Sequence, residues 1–170
     1  FRSFGKAAIQ GELHPVTDDT LYVIFSSTKA IVAAAVWTLF EDGLLRLDEK
    51  VADIIPEFGT NGKEVVTVEQ TMLHIGGFPM APFRAEDWDN RETRLARFAK
   101  WRLNFEPGTQ FIYHATTAHW VLAEIIERRT GKEFRSFIRE RILDPMGLDN
   151  LYIGLPDSEN SRVADVLHMV

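Results

Sequence analysis

A chain of 170 residues, 45% hydrophobic and 26% charged, is large enough to bury a sizeable core and small enough that one domain is the default. Its net charge of −6 argues against nucleic acid or an anionic membrane surface as the main partner. The lack of cysteine excludes a disulfide framework and a thiolate metal site. No stretch approaches the roughly 20 apolar residues that span a bilayer, because the run from Ile31 to Phe40 is bounded by Lys29 and by Glu41 and Asp42.

In chain order, residues 2–10 and 21–25 read as short strands, with the turn-rich Gly11-Glu12-Leu13-His14-Pro15-Val16-Thr17-Asp18-Asp19 between them. The second strand feeds a helix that begins near Ser26, is apolar on almost every side through Phe40, and stops at Glu41-Asp42-Gly43. A helix apolar all round is expected to be buried. Thr67-Val68-Glu69-Gln70 has the capping-box pattern and starts a short helix toward His74, broken at Gly76-Gly77-Phe78-Pro79. Residues 89–102 form a further helix with Leu95, Phe98 and Ala99 as its inner stripe. Glu106-Pro107-Gly108-Thr109 is a turn and residues 110–113 are extended. Two helices follow: 116–129, with Trp120, Val121, Ala123, Ile125 and Ile126 inward and Gly131 closing it, and 132–143, ending at Asp144-Pro145. Nothing divides the chain into repeats or linked parts. Its start at Phe1 and its apolar finish at Val166-Leu167-His168-Met169-Val170 read as cut ends, so a signal peptide could have been lost and the compartment stays open.

Ser26-Ser27-Thr28-Lys29 places a hydroxyl and an amine three residues apart, on one face if Ser26 opens the helix. The spacing alone is weak, since Ser3-Phe4-Gly5-Lys6 repeats it with no helix behind it. An aliphatic hydroxyl needs a neighbouring base to act as a nucleophile. A free amine, with a reference pKa of about 10.4, is the wrong base at neutral pH. Burial against the apolar helix and the positive helix end both favour the neutral form. On its own the pair reads equally well as a serine N-cap beside a lysine that snorkels to solvent. Tyr113 tips the balance: a phenol beside an amine and a hydroxyl can relay a proton, although an isolated tyrosine is more often simply half-buried with its hydroxyl bonded to backbone.

These residues resemble the serine β-lactamase and penicillin-binding-protein superfamily, in its class C-like branch with esterases and D-amino-acid peptidases. The resemblance covers nearly the whole chain. Residues from Thr20 to Lys29 are similar to the family's nucleophile box, and those from Gly43 to Val51 to the segment after its central helix. Thr71-Met72-Leu73-His74-Ile75-Gly76-Gly77-Phe78-Pro79 resembles its LLxHTSGLP stretch, and Glu106-Pro107-Gly108-Thr109-Gln110-Phe111-Ile112-Tyr113 its PGxxFxYSN stretch. The resemblance implies that Ser26 is acylated, that Lys29 and Tyr113 share the base and relay work as a coupled pair, and that no cofactor or metal is needed. It also implies that the Ser26 N–H supplies half of an oxyanion hole, the other half coming from a later strand.

Two departures matter. Ala115 stands where the family often has Asn, and His114 where a small residue is usual; both, as substrate-facing positions, favour an ester over a β-lactam or D-alanyl peptide. The family's Lys-Thr-Gly or His-x-Gly strand belongs beyond residue 170; Arg129-Thr130-Gly131 and Ser158-Glu159-Asn160 only imitate family boxes. The expectation is therefore an α/β (α+β) fold, a single partial β-lactamase-like domain over residues 1–170. It comprises the helical region and the leading strands of an antiparallel sheet. Its open edge would invite self-association. The partner is a small-molecule substrate, with a non-catalytic binding module or inactive fragment as the rival of another class. His74 reads as a packed structural histidine, the spacing of His114 and His119 does not suit a helical zinc site, and Glu86 and Asp87 read better as solvated surface than as a substrate rim.

Overall fold

In the computed structural model, which describes residues 2–167, the chain opens with a β-hairpin. Strand β1, Lys6–Ile9, runs antiparallel to β2, Glu12–Pro15, with Lys6 opposite Pro15 and Ile9 opposite Glu12. Gln10 and Gly11 between them have φ of 52° and 83°, the pair of positive values that a two-residue turn needs to match strand twist. The first strand is thus shorter than expected, and the segment read as turn-rich supplies its partner. The Asp165 carboxylate accepts from the Gln10 and Gly11 amides at 3.1 and 2.8 Å and ties the turn to the far end of the described chain. Phe1, His168, Met169 and Val170 lie outside the described residues, so the apolar finish is only partly covered.

The strand expected over residues 21–25 does not form. Leu21 makes one parallel bridge with Val163, and Tyr22, Val23, Ile24 and Phe25 then lie exposed. β-Formers become a strand only where a neighbour completes the ladder, and among the described residues that neighbour reaches Leu21 alone. The antiparallel sheet is therefore the β1–β2 pair.

A 3-10 turn, Phe25–Ser27, leads into α1, Thr28–Glu41. Val32, Ala35, Val36 and Leu39 form its buried stripe, but Trp37 is 56% exposed, so a helix apolar in composition is not buried on all sides. It closes at Gly43, whose φ of 69° is the left-handed value glycine reaches without penalty. Helices α2, Val51–Ile54, and α3, Val68–Met72, follow. The capping box forms as expected: the Gln70 amide donates to Thr67 Oγ1 and the Thr67 amide to Gln70 Oε1, both at 3.1 Å. Helix α4, Arg91–Lys100, starts where Asn90 Oδ1 accepts from the Thr93 amide at 2.9 Å, which trims the expected span. Helix α5, Thr117–Thr130, ends at Gly131 with φ 70°, as the sequence predicts. Helix α6, Phe134–Ile138, passes into a π turn, Arg139–Leu143.

The centre of the molecule is α5, which packs against α1, α2, α3 and α6. Val121, Leu122, Ile125 and Ile126 on it are fully buried. An aromatic layer of Phe78, Phe83, Phe98 and Trp101 fills the space beside it. Asp87, expected to be solvated, is instead buried: it accepts from the Arg84 amide at 3.1 Å and pairs with Arg97 at 3.0 Å. A carboxylate that caps a turn and also holds a cation can leave water at little cost. Glu86 beside it stays exposed.

The loop carrying Gly76 and Gly77 closes against residues 103–105. Gly77 has φ 89°, its carbonyl accepts from the Asn104 amide at 2.7 Å, and a Cβ there would come within 2.5 Å of the Phe105 carbonyl oxygen. Gly77→Ala is expected to cost about 1–2 kcal/mol from backbone conformation, with the clash at the Phe105 carbonyl added to it, read as a lowered midpoint in denaturant unfolding.

Candidate active site

Ser26 sits on the 3-10 turn rather than inside α1, and it is exposed. The sequence places it at the inner end of a core helix; the structure puts it one turn earlier, at the surface. Phe25 explains the placement. Its φ of 45° is a left-handed value that a bulky residue rarely adopts, and it turns the backbone sharply just before the serine. The Ser27 amide then donates to the Ile24 carbonyl at 3.1 Å and closes the turn.

Lys29 is the second residue of α1, three positions on, and its Nζ donates to Ser26 Oγ at 3.1 Å. Tyr113 lies on the loop that precedes α5, and its hydroxyl donates to the same oxygen at 2.7 Å. Lys29 Nζ also lies 5.1 Å from the centre of the Tyr113 ring. The three side chains singled out in the sequence are therefore assembled around one atom. Interaction with Lys29 first, and the bond to Ser26 second, hold the Tyr113 phenol below its ordinary range.

Tyr113 is carried by a loop fixed at both ends. The turn at 106–109 closes with the Thr109 amide on the Glu106 carbonyl at 3.1 Å, and the Gly108 amide reaches the Ile75 carbonyl at 2.8 Å. His114, expected from sequence to face substrate, is buried with no exposure. Its Nδ1 bonds the Ile112 carbonyl at 2.7 Å and its Nε2 accepts from the Phe78 amide at 3.1 Å, so the neutral ring is used up inside the protein. A loop of adjacent residues alternates its directions: Tyr113 and Ala115 point out, and His114 points in. Ala115 is exposed.

Behind the site lies a set of imidazoles that no spacing in the sequence groups together. His74 contacts Tyr113, His114 and His119 at ring separations of 5.0, 5.7 and 5.7 Å. Burial, then the charge of Lys29, lowers the His74 pKa, and burial lowers that of His114. His119 is pushed down from 6.5 to about 4, first by burial and then by Lys29 and His74, and its Nδ1 is buried without a partner among the described residues. A base whose folded pKa lies below its unfolded value binds more protons when unfolded, so stability is full above the ordinary imidazole range and is lost as pH falls toward about 4. This loss should amount to about 3 kcal/mol, read from unfolding midpoints across that window. His119→Leu should flatten much of the slope.

The chain matches the family model described as Beta-lactamase over residues 1–169. It belongs to the beta-lactamase family. The esterase/beta-lactamase LipL of Mycobacterium tuberculosis is 31% identical over 90% of this chain and 36% of its own length. Esterase EstB of Burkholderia gladioli is 30% identical over 91% of this chain and 43% of its own length. Among solved structures, a penicillin-binding-protein homologue from Caulobacter crescentus superposes with a TM-score of 0.81 at 37% identity, covering 96% of this chain and 48% of that one. A family VIII carboxylesterase does so with 0.81 at 35% identity, covering 97% and 50%. A class C beta-lactamase at 22% identity and a TM-score of 0.76 shares the fold. The chain thus spans half or less of the length of these relatives, and its beta-lactamase-like fold is a partial domain.

Proposed function

We propose that this chain carries the nucleophile side of a serine hydrolase that cleaves small carboxylic esters through an acyl-Ser26 intermediate. The observation that supports it is Ser26 Oγ receiving hydrogen bonds from both Lys29 and Tyr113. For attack, the Ser26 proton passes to whichever of the pair is in its basic form as the Oγ–carbonyl bond forms; the same proton then goes to the leaving alkoxide as the ester bond breaks. Water repeats the sequence and frees the serine. The Ser26 amide is one oxyanion donor, and the second belongs to the part of the domain not spanned here. For that reason the chain alone is expected to turn over negligibly.

An ester is favoured over an amide because exposed Ala115, two residues after Tyr113, offers no side-chain donor or acceptor to a substrate. Relatives with esterase names point the same way. A second reading, β-lactam or D-alanyl peptide hydrolysis, draws on relatives named penicillin-binding protein 4* and putative D-alanyl-D-alanine carboxypeptidase. The test is to expose the full-length protein to a fluorophosphonate and to a β-lactam and locate adducts by mass. Labelling of Ser26 by the first alone supports the esterase, labelling by both restores the second reading, and labelling by neither leaves a binding module.

Phe4 and Leu13 at the hairpin, and Tyr22, Val23, Ile24 and Phe25 in the unpaired segment, are exposed apolar side chains. The chain alone should self-associate through them; sedimentation as a monodisperse monomer would refute this.

A further inference from the structure

We propose that His74 is a positioning residue for Tyr113, fixing the backbone on both sides of the phenol; this rests on Tyr113 acting in the proton relay. At the end of α3 the His74 amide donates to the Thr71 carbonyl at 3.3 Å and the Ile75 amide to the Gln70 carbonyl at 2.9 Å, the paired bonds of a left-handed helix stop. Glycine usually occupies the position between them. Here it is His74, with φ 59°, although glycines follow at once at positions 76 and 77. A residue with a Cβ is disfavoured in that conformation, so something holds it there.

What His74 gains is Tyr113. The Ile112 amide donates to the His74 carbonyl at 3.3 Å, and the His114 amide donates to His74 Nδ1 at 3.1 Å. The amides of the residues before and after Tyr113 therefore both end on one residue, whose ring also lies 5.0 Å from the phenol ring. The left-handed turn is what lets a single histidine present its carbonyl and its Nδ1 to the same extended segment. A glycine would satisfy the helix stop and supply the carbonyl, but not the second acceptor. Nδ1 accepts only while it is unprotonated. The titratable groups packed against it are Lys29 from α1, Tyr113 and His114 from the loop, and His119 from α5. Low basicity of His74, from burial and from Lys29, agrees with a standing acceptor role.

The clamp is tested with two variants. His74→Asn puts an amide oxygen near the position of Nδ1 and tolerates the left-handed backbone, whereas His74→Gly relaxes the backbone and deletes the acceptor. In the chain labelled with ring-13C tyrosine, with Tyr113 assigned by its loss in Tyr113→Phe, the wild-type phenol should titrate below free tyrosine. His74→Asn should keep that titration and His74→Gly should move it toward the free value. In the full-length protein, His74→Gly should lower kcat about 10- to 100-fold with KM little changed, and His74→Asn should restore most of it. If His74→Gly does not fold, His74→Gln, whose oxygen sits one methylene farther out, takes its place with the same expected loss. Unchanged phenol titration and kcat in His74→Gly, or equal damage in His74→Asn and His74→Gly, would overturn the proposal. Failure of Ser26 to acylate in the wild type would sink the hydrolase reading, while the phenol titration would still test the clamp independently.

Discussion

Ser26→Ala in the full-length protein should abolish covalent labelling, and Tyr113→Phe or Lys29→Met should each lower kcat by about 10²- to 10⁴-fold, the range for loss of a positioned acid or base. The geometry makes a sharper demand on the double variant. Both donors end on the same oxygen, at 3.1 and 2.7 Å, and the charge of Lys29 helps set the proton affinity of Tyr113. In the proposed relay, neither can therefore pass on a proton without altering the field of the other. In that relay, removing Lys29 takes away the interaction that lowers the phenol's proton affinity, and removing Tyr113 takes away one of the two groups that can carry the proton. The Lys29→Met/Tyr113→Phe pair should therefore cost about as much as the worse single change, not the product of the two. Multiplicative losses in single-turnover acylation would show that the side chains act independently and that the coupled relay is wrong. KM should move little in all three, because none of these groups is proposed to hold the substrate apart from the reacting atoms.

What is legible in the sequence is what local chemistry decides. The capping box at Thr67 and Gln70, the glycine stop at Gly131 and the inward face of α5 are short-range features, and each forms as its residues dictate. Ser26, Lys29 and Tyr113 can be singled out because an apolar helix follows the serine and ordered family-like stretches frame all three, and the folded chain brings them together. Residues 21–25 do not form the expected strand because a strand is a property of two segments. Leu21 alone finds its partner in Val163. The hairpin escapes a sequence reading for the opposite reason: Gln10-Gly11 is a weaker turn signal than Asn-Gly, yet both residues adopt positive φ. His114 turns inward against expectation because period-two alternation in a loop cannot tell in from out. The grouping of His74, His114 and His119, and the strained Phe25, arise from tertiary packing between segments far apart in sequence and leave no local trace.

The scaffold behind the site rests on a buried charge, and Glu124→Ala should cost about 3–5 kcal/mol in unfolding free energy, the range for breaking a buried ion pair by removing one partner. Glu124 is a side chain with no exposure, on the central helix α5. Its oxygens take Arg91 at 2.6 and 3.1 Å and Arg128 at 2.8 Å, with Arg94 at 4.0 Å. Arg94 is itself buried, so without Glu124 it depends on Glu127, 3.3 Å away, and on the Trp88 carbonyl at 2.7 Å. Arg128 is less exposed to the loss, because Glu57 holds it as well at 2.9 Å. Glu124→Gln should cost less, since it keeps the volume and one acceptor. A second readout separates charge from packing. Burial raises the Glu127 pKa and the neighbouring Glu124 adds to that, against the pull of the arginines. In Glu124→Gln, Arg91 and Arg94 are left facing Glu127 alone, so its carboxyl should titrate lower than in the wild type by carboxyl-13C NMR. An unchanged Glu127 titration would mean that the two acids do not share one field. Because this network holds α4 to α5 and does not touch Ser26, the rate per folded molecule should survive the change, the reverse of the pattern expected for Tyr113→Phe, where the fold stands and the rate falls.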